Sequence, residues 1–220
     1  MKLIERKEIF QNYNNITSLI KGFQKAFFDE EYDNLEDEMF DALNLEPKKA
    51  SNSTFNLSIN HSVLDTFPKK LSERINCLFD FLNVEQFIII SHLKLDLFGN
   101  TEHDYDKVKN SYEQLKKITL SESYKEAILA DKKDLPELID ILFWLERCDG
   151  SLPEYIFWFD TNERFCFHLC QYGKVHIIDF TNGNLLNNEQ LAELQFEIVE
   201  DRCYDQFTEE SRIENRKLKL

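Results

Sequence analysis

Residues 154–181, EYIFWFDTNERFCFHLCQYGKVHIIDFT, constrain the fold more than any other stretch of this chain. Three short runs of aromatic and β-branched residues are separated by two polar or glycine-bearing turns, around Asp160–Glu163 and Gln171–Lys174. Strand formers broken in this rhythm predict a three-stranded antiparallel meander. Its runs are apolar on both faces, so the sheet must be covered, and the helical segments upstream are the natural cover.

Those segments follow from periodicity. Leu3, Ile4, Phe10 and Tyr13 mark an opening helix over 3–13, and Ile16, Leu19, Ile20, Phe23 and Phe27 a second over 16–28. Residues 29–41 hold eight acids in thirteen positions and no base. Leu35, Met39, Phe40 and Leu43 still predict a helix there, with an acidic outer face. A polar connector at 47–53 is the best candidate for an internal boundary. A strand is then expected at 54–60, a helix from Pro68 to about 82, and a strand over 87–98 closed by Gly99-Asn100.

Residues 104–130 carry a thin helical stripe. Leu135, Leu138, Ile139, Leu142 and Leu145 form the strongest stripe in the chain, widened by Phe143 and Trp144, and predict a helix over 135–148 buried on more than one side. Residues 71–81 and 135–145 echo each other in five places, which reads as the coincidence of two amphipathic helices, with a duplicated helix–strand unit as the alternative. After the meander, Leu191, Leu194 and Ile198 suggest a helix or strand, and 208–220 read as a frayed tail. The fold class is therefore α+β: a helical N-terminal portion, a strand–helix–strand middle and a C-terminal three-stranded meander packed on helices. One compact domain over 1–220 is expected, since no long flexible linker interrupts it.

Charge narrows the function classes. The chain has 26 Lys+Arg against 41 Asp+Glu, a net charge of −15, and only seven of the bases are Arg. Such a surface repels nucleic acid, whose binding runs on cationic contacts to phosphate. It attracts basic partners, whose encounter rate rises with long-range attraction. Apolar runs fall far short of the ~20 residues a membrane helix needs. Five Cys at irregular spacing read as reduced thiols, so the protein is expected to be cytoplasmic.

No glycine-rich phosphate loop, Rossmann fingerprint, HExxH or GxSxG is present, and no cofactor or metal is expected. The leading functional reading is a non-enzymatic acidic protein that neutralises a basic partner, of the immunity or antitoxin type for a bacterial toxin or nuclease domain. Its contact surface would be Asp29, Glu30, Glu31, Asp33, Glu36, Asp37, Glu38 and Asp41.

The alternative is a small cytosolic enzyme or zinc protein that uses the strand face of Cys166, His168 and Cys170. If Tyr172-Gly173 is a two-residue hairpin loop, Val175 faces Cys170, Ile177 faces His168 and Asp179 faces Cys166. Cys166, His168 and Asp179 then supply a thiol, a base and an orienting acid on one surface. One extra turn residue moves Asp179 to the other face. For zinc, three ligands at alternate positions of a straight strand are strained, and no Cys-x-x-Cys knuckle is present. His176, Cys148 and Cys203 would complete such a site only if folding happened to bring them there. His92 reads as a hydrogen-bonded structural histidine, and His61 and His103 stand isolated.

Overall fold

A computed structural model describes residues 1–48, 51–199, 205 and 207. Eight strands form one antiparallel sheet: β1 Lys2–Ile4, β2 Ser53–Ser58, β3 Gln86–Ser91, β4 Ala127–Asp131, β5 Ile156–Asp160, β6 Phe165–Leu169, β7 Val175–Asp179 and β8 Glu197–Val199. Their spatial order is β1-β4-β3-β5-β6-β7-β2-β8. The expected meander is its centre, and β2 and β3 from the middle of the chain flank it. The α+β class stands, with all the strands joined in a single sheet.

Alternation along the strands builds two cores. On one face Phe87, Ile89, Trp158, Phe165, Phe167, Val175 and Ile177 pack under α3 Phe67–Leu82, α4 Asp106–Thr119 and α5 Leu135–Cys148. On the other, Ile88, Ile90, Phe157, Phe159, Cys166 and Ile178 pack under α1 Arg6–Asn12 and α2 Asn14–Phe27. The short helix α6 Asn188–Glu193 adds Leu191 to the first core, and a capping box between Asn187 and Gln190 starts it. Pro68 and Pro136 occupy the first turns of α3 and α5, where a missing N–H costs nothing. The echoing segments of α3 and α5 pack against each other over the adjacent strands β3 and β5.

Four expected elements take a different form. The helix expected over 3–13 begins only at Arg6, because Leu3 and Ile4 pair with β4 as part of β1. Residues 29–41 are turns and one 3₁₀ turn at Glu38–Phe40 instead of a helix. Asp and Asn side chains here bond the backbone N–H groups that a helix would use, as in Glu31 N to Asp29 Oδ1 at 2.9 Å and Asn34 N to Asp37 Oδ2 at 3.0 Å. Crowded like charges remove what helical preference remained. The strand expected over 87–98 stops at Ser91, whose hydroxyl bonds Leu93 O at 2.6 Å and bends the chain away. Leu93 and Leu97 are buried in irregular backbone. The helical stripe expected over 104–130 ends at Thr119, and 127–131 become β4 between β1 and β3. Residues 49–50, inside the expected connector, and the expected tail 208–220 lie outside the described residues.

Buried Arg6 anchors the far end of the acidic segment. Its guanidinium grips the Asp41 carboxylate through Nε at 2.6 Å and Nη2 at 3.0 Å, and donates to Ser91 O at 2.7 Å. Gln24 completes the junction, donating to Asp41 Oδ1 at 2.8 Å and His92 O at 3.0 Å while accepting from Ala42 N at 2.8 Å. Helices α1 and α2, strand β3 and the end of the loop are thereby fixed at one point.

Candidate functional site

The eight acids do not act alike. Asp41 is consumed by Arg6. Glu38 reaches Lys94 at 2.8 Å and Lys125 at 3.7 Å, and Lys94 first of all holds its carboxyl below the usual range. Asp29, Asp33 and Asp37 fold back onto backbone N–H groups and shape the loop. Glu30, Glu31 and Glu36 project outward, their carboxylates in no hydrogen bond or ion pair among the described residues. Between them Tyr32 is 80% and Leu35 50% exposed. The stripe that sequence reasoning assigned to an apolar helix face therefore splits: Phe40 goes inward and Leu35 faces solvent with the acids.

The strand face of Cys166, His168 and Cys170 is present, but the proposed triad is not assembled. Cys170 N donates to Lys174 O at 3.0 Å and Gly173 N to Cys170 O at 2.9 Å, so Gln171, Tyr172 and Gly173 form a three-residue loop with Gly173 at φ +85°. The extra loop residue shifts the register by one. Asp179 pairs with Phe165 and lies on the opposite face from Cys166. There it is buried and accepts from Thr181 N at 2.5 Å, stapling the turn after β7. His168 instead pairs with His176, and their rings stack at 4.5 Å with planes 8° apart.

The local electrostatics disfavour thiolate chemistry. Burial pushes the thiols of Cys166 and Cys170 upward, the latter partly offset by N–H groups of its own turn. Burial, then the neighbouring His176 ring, lowers His168 to about 3. A protonated thiol is not a nucleophile, and an imidazole lowered this far is a weak base. Among the described residues no cluster of three His, Cys, Asp or Glu is arranged to hold a metal ion, and Cys203 lies outside them. His92 has its Nδ1 3.2 Å from Tyr155 O, as its structural reading expected, while its buried Nε2 has no partner among the described residues.

Two features were not foreseen. A file of rings crosses this end of the sheet: Phe27 to His92 at 4.7 Å, His92 to Tyr155 at 5.3 Å, Tyr155 to His168 at 5.1 Å, then His176. Beside it a cleft of about 610 Å³ opens where the last turn of α5 meets the β6–β7 loop, with Glu146, Tyr155, His168, Cys170, Lys174 and His176 among its walls. Glu146 sits in the strongest apolar stripe of the sequence, and a carboxyl at position 146 amid that stripe was the available signal. No helix among the described residues is long and apolar enough to cross a membrane. Compared with protein-family models, curated proteins and solved structures, the chain has no match in any of the three.

Proposed function

We propose that this chain is a non-enzymatic binding protein that neutralises a basic protein partner, in the manner of immunity proteins against bacterial toxins. The observation that carries this reading is the 29–38 loop. Its backbone is held by its own Asp side chains and anchored through Asp41 to Arg6, so it is preorganised. Its remaining acids project into solvent around Tyr32 and Leu35. An exposed aromatic ring ringed by carboxylates supplies both parts of a recognition surface: an apolar anchor and a field that steers a cationic partner. The net charge of −15 extends that field over the molecule.

The enzyme reading has less support, because the chemistry it needed is divided between two faces of the sheet. The test is capture of partners from the native host on tagged protein, washed at low salt and at about 0.5 M, where screening shrinks to about 4 Å. One stoichiometric basic protein should be retained at low salt and weakened by high salt. It should be lost when Glu30, Glu31 and Glu36 become Lys and Tyr32 becomes Ala. Retention on that variant at undiminished strength would overturn the assignment of this surface.

A further inference from the structure

The end of α5 carries a carboxyl that nothing described so far uses. Glu146 lies in the last turn of the helix, where the backbone carbonyls already present negative charge and an acid is unfavourable. The residue keeps some exposure, yet its Oε1 is sealed from solvent and has no hydrogen-bond partner among the described residues. Burial alone pushes this carboxyl well above the usual carboxylate range. An unsatisfied buried carboxyl costs stability wherever it stands. Here it forms part of the wall of the 610 Å³ cleft.

The rest of the cleft has a consistent character. Tyr155, Tyr172 and the stacked imidazoles of His168 and His176 are aromatic rings among its walls. His168 is neutral near pH 7, so it adds no competing positive charge. Glu154 and Asp149 add carboxylates, against Lys174 as the cleft's one cation among the described residues. Asp149 is already satisfied, accepting from Asn100 N at 2.7 Å and Ser151 N at 2.8 Å. The buried acceptor in the cleft wall with no hydrogen-bond partner among the described residues is Glu146.

We propose that this cleft binds a guanidinium group, with the Glu146 carboxylate as its counter-ion and the neighbouring rings as its stacking wall. A planar cation answers each feature in turn. It brings N–H donors to a carboxyl whose Oε1 has no partner among the described residues, it neutralises the charge at the helix end, and it stacks on aromatic rings. On binding, the carboxylate turns its sealed Oε1 toward the guanidinium, and any proton it carries passes to solvent. The same chemistry comes from two sources, an arginine side chain of a protein or a small free guanidine such as agmatine.

Titration calorimetry on the full chain at pH 7, in buffers of different ionisation enthalpy, tests this. Nα-acetyl-arginine methylamide stands for the protein side chain, agmatine for the small molecule, and Nα-acetyl-citrulline methylamide is the neutral isostere. Expected are saturable binding of at least one guanidinium probe, net release of protons on binding, and at least tenfold weaker binding of citrulline. Glu146→Gln should abolish the proton release and weaken the guanidinium probe at least tenfold. Preference for the blocked arginine over agmatine assigns the site to a protein side chain, and the reverse to a small molecule. No binding of either guanidinium probe, equal binding of citrulline, or binding without proton release would overturn the proposal. If Glu146→Gln does not fold, the citrulline comparison and the proton count on the native chain still decide. The Glu30, Glu31 and Glu36 charge reversal should leave this binding unchanged, so the cleft and the acidic loop stand or fall separately.

Discussion

Lowering the pH should destabilise this protein through His168, and the size of the effect follows from the structure. The imidazole is edge-on to Tyr155 at 5.1 Å and Phe157 at 5.6 Å and stacked on His176, so charging it means ionising a ring among rings. Its titration falls from 6.5 to about 3 on folding. Above pH 6.5 both states are neutral and the burial carries no electrostatic cost. As pH falls below 6.5 the unfolded chain takes up a proton that the folded chain refuses, so stability drops until the folded group protonates near pH 3. At pH 4.5 the unfolded chain is two units past its midpoint, which corresponds to a loss of about 2.7 kcal/mol from this group alone. His168→Phe keeps an aromatic ring and removes the proton. Urea unfolding of both proteins at pH 7.5 and 4.5 gives a difference of differences in which the packing change and every titrating group not coupled to His168 cancel. The native protein should lose about 2.7 kcal/mol more than the variant between the two pH values. An excess below about 1 kcal/mol would show that His168 is solvated or paired, and the burial argument would be refuted.

Three further substitutions test the frame that holds the sites. Arg6→Ala leaves Asp41 without its bidentate partner, and since that carboxylate keeps about a fifth of its exposure, the loss in urea unfolding should be about 3 kcal/mol, the low end for a broken buried pair. Gly99→Ala would place a Cβ 2.8 Å from Asp149 Oδ2 and 3.0 Å from the Tyr112 hydroxyl, so about 1–3 kcal/mol should be lost; a neutral result would mean that the Tyr112–Asp149 contact yields freely. Leu120 closes α4 at φ +54° while 87% exposed, so Leu120→Gly should raise stability by about 1 kcal/mol, and an unchanged midpoint would count against strain at that cap.

The legible parts of the fold were those where one period dominates. The stripe of Leu71, Ile75, Leu78 and Leu82 marked α3, that of Leu135 to Leu145 marked α5, and the aromatic runs marked β5, β6 and β7. What stayed hidden has physical reasons. Strands β1 and β8 are three residues long, too short to show alternation, and exist through their partners β4 and β2. Ala127–Asp131 has helical neighbours, and only pairing on both sides makes it a strand. The acidic run was visible as charge, but its loop conformation depended on which Asp side chains turned back onto the backbone. The triad hinged on the length of one turn, where Gln171 joined Tyr172 and Gly173 as a third loop residue. The cleft was invisible because it joins position 146 to 168–176, a proximity that only the packing of α5 over the meander creates.

The strand order also sets a timetable for synthesis. Strands β5, β6 and β7 find one another within a few residues of emerging, whereas β2 must wait for β7. Leu57 pairs with Val175, so 175 minus 57, or 118 residues, separate them along the chain. At about 5–20 residues per second, β2 spends about 6–24 s outside the ribosome with Phe55 and Leu57 on a strand that has no sheet to join. The nascent chain is therefore exposed to wrong pairing through a strand made early and used late.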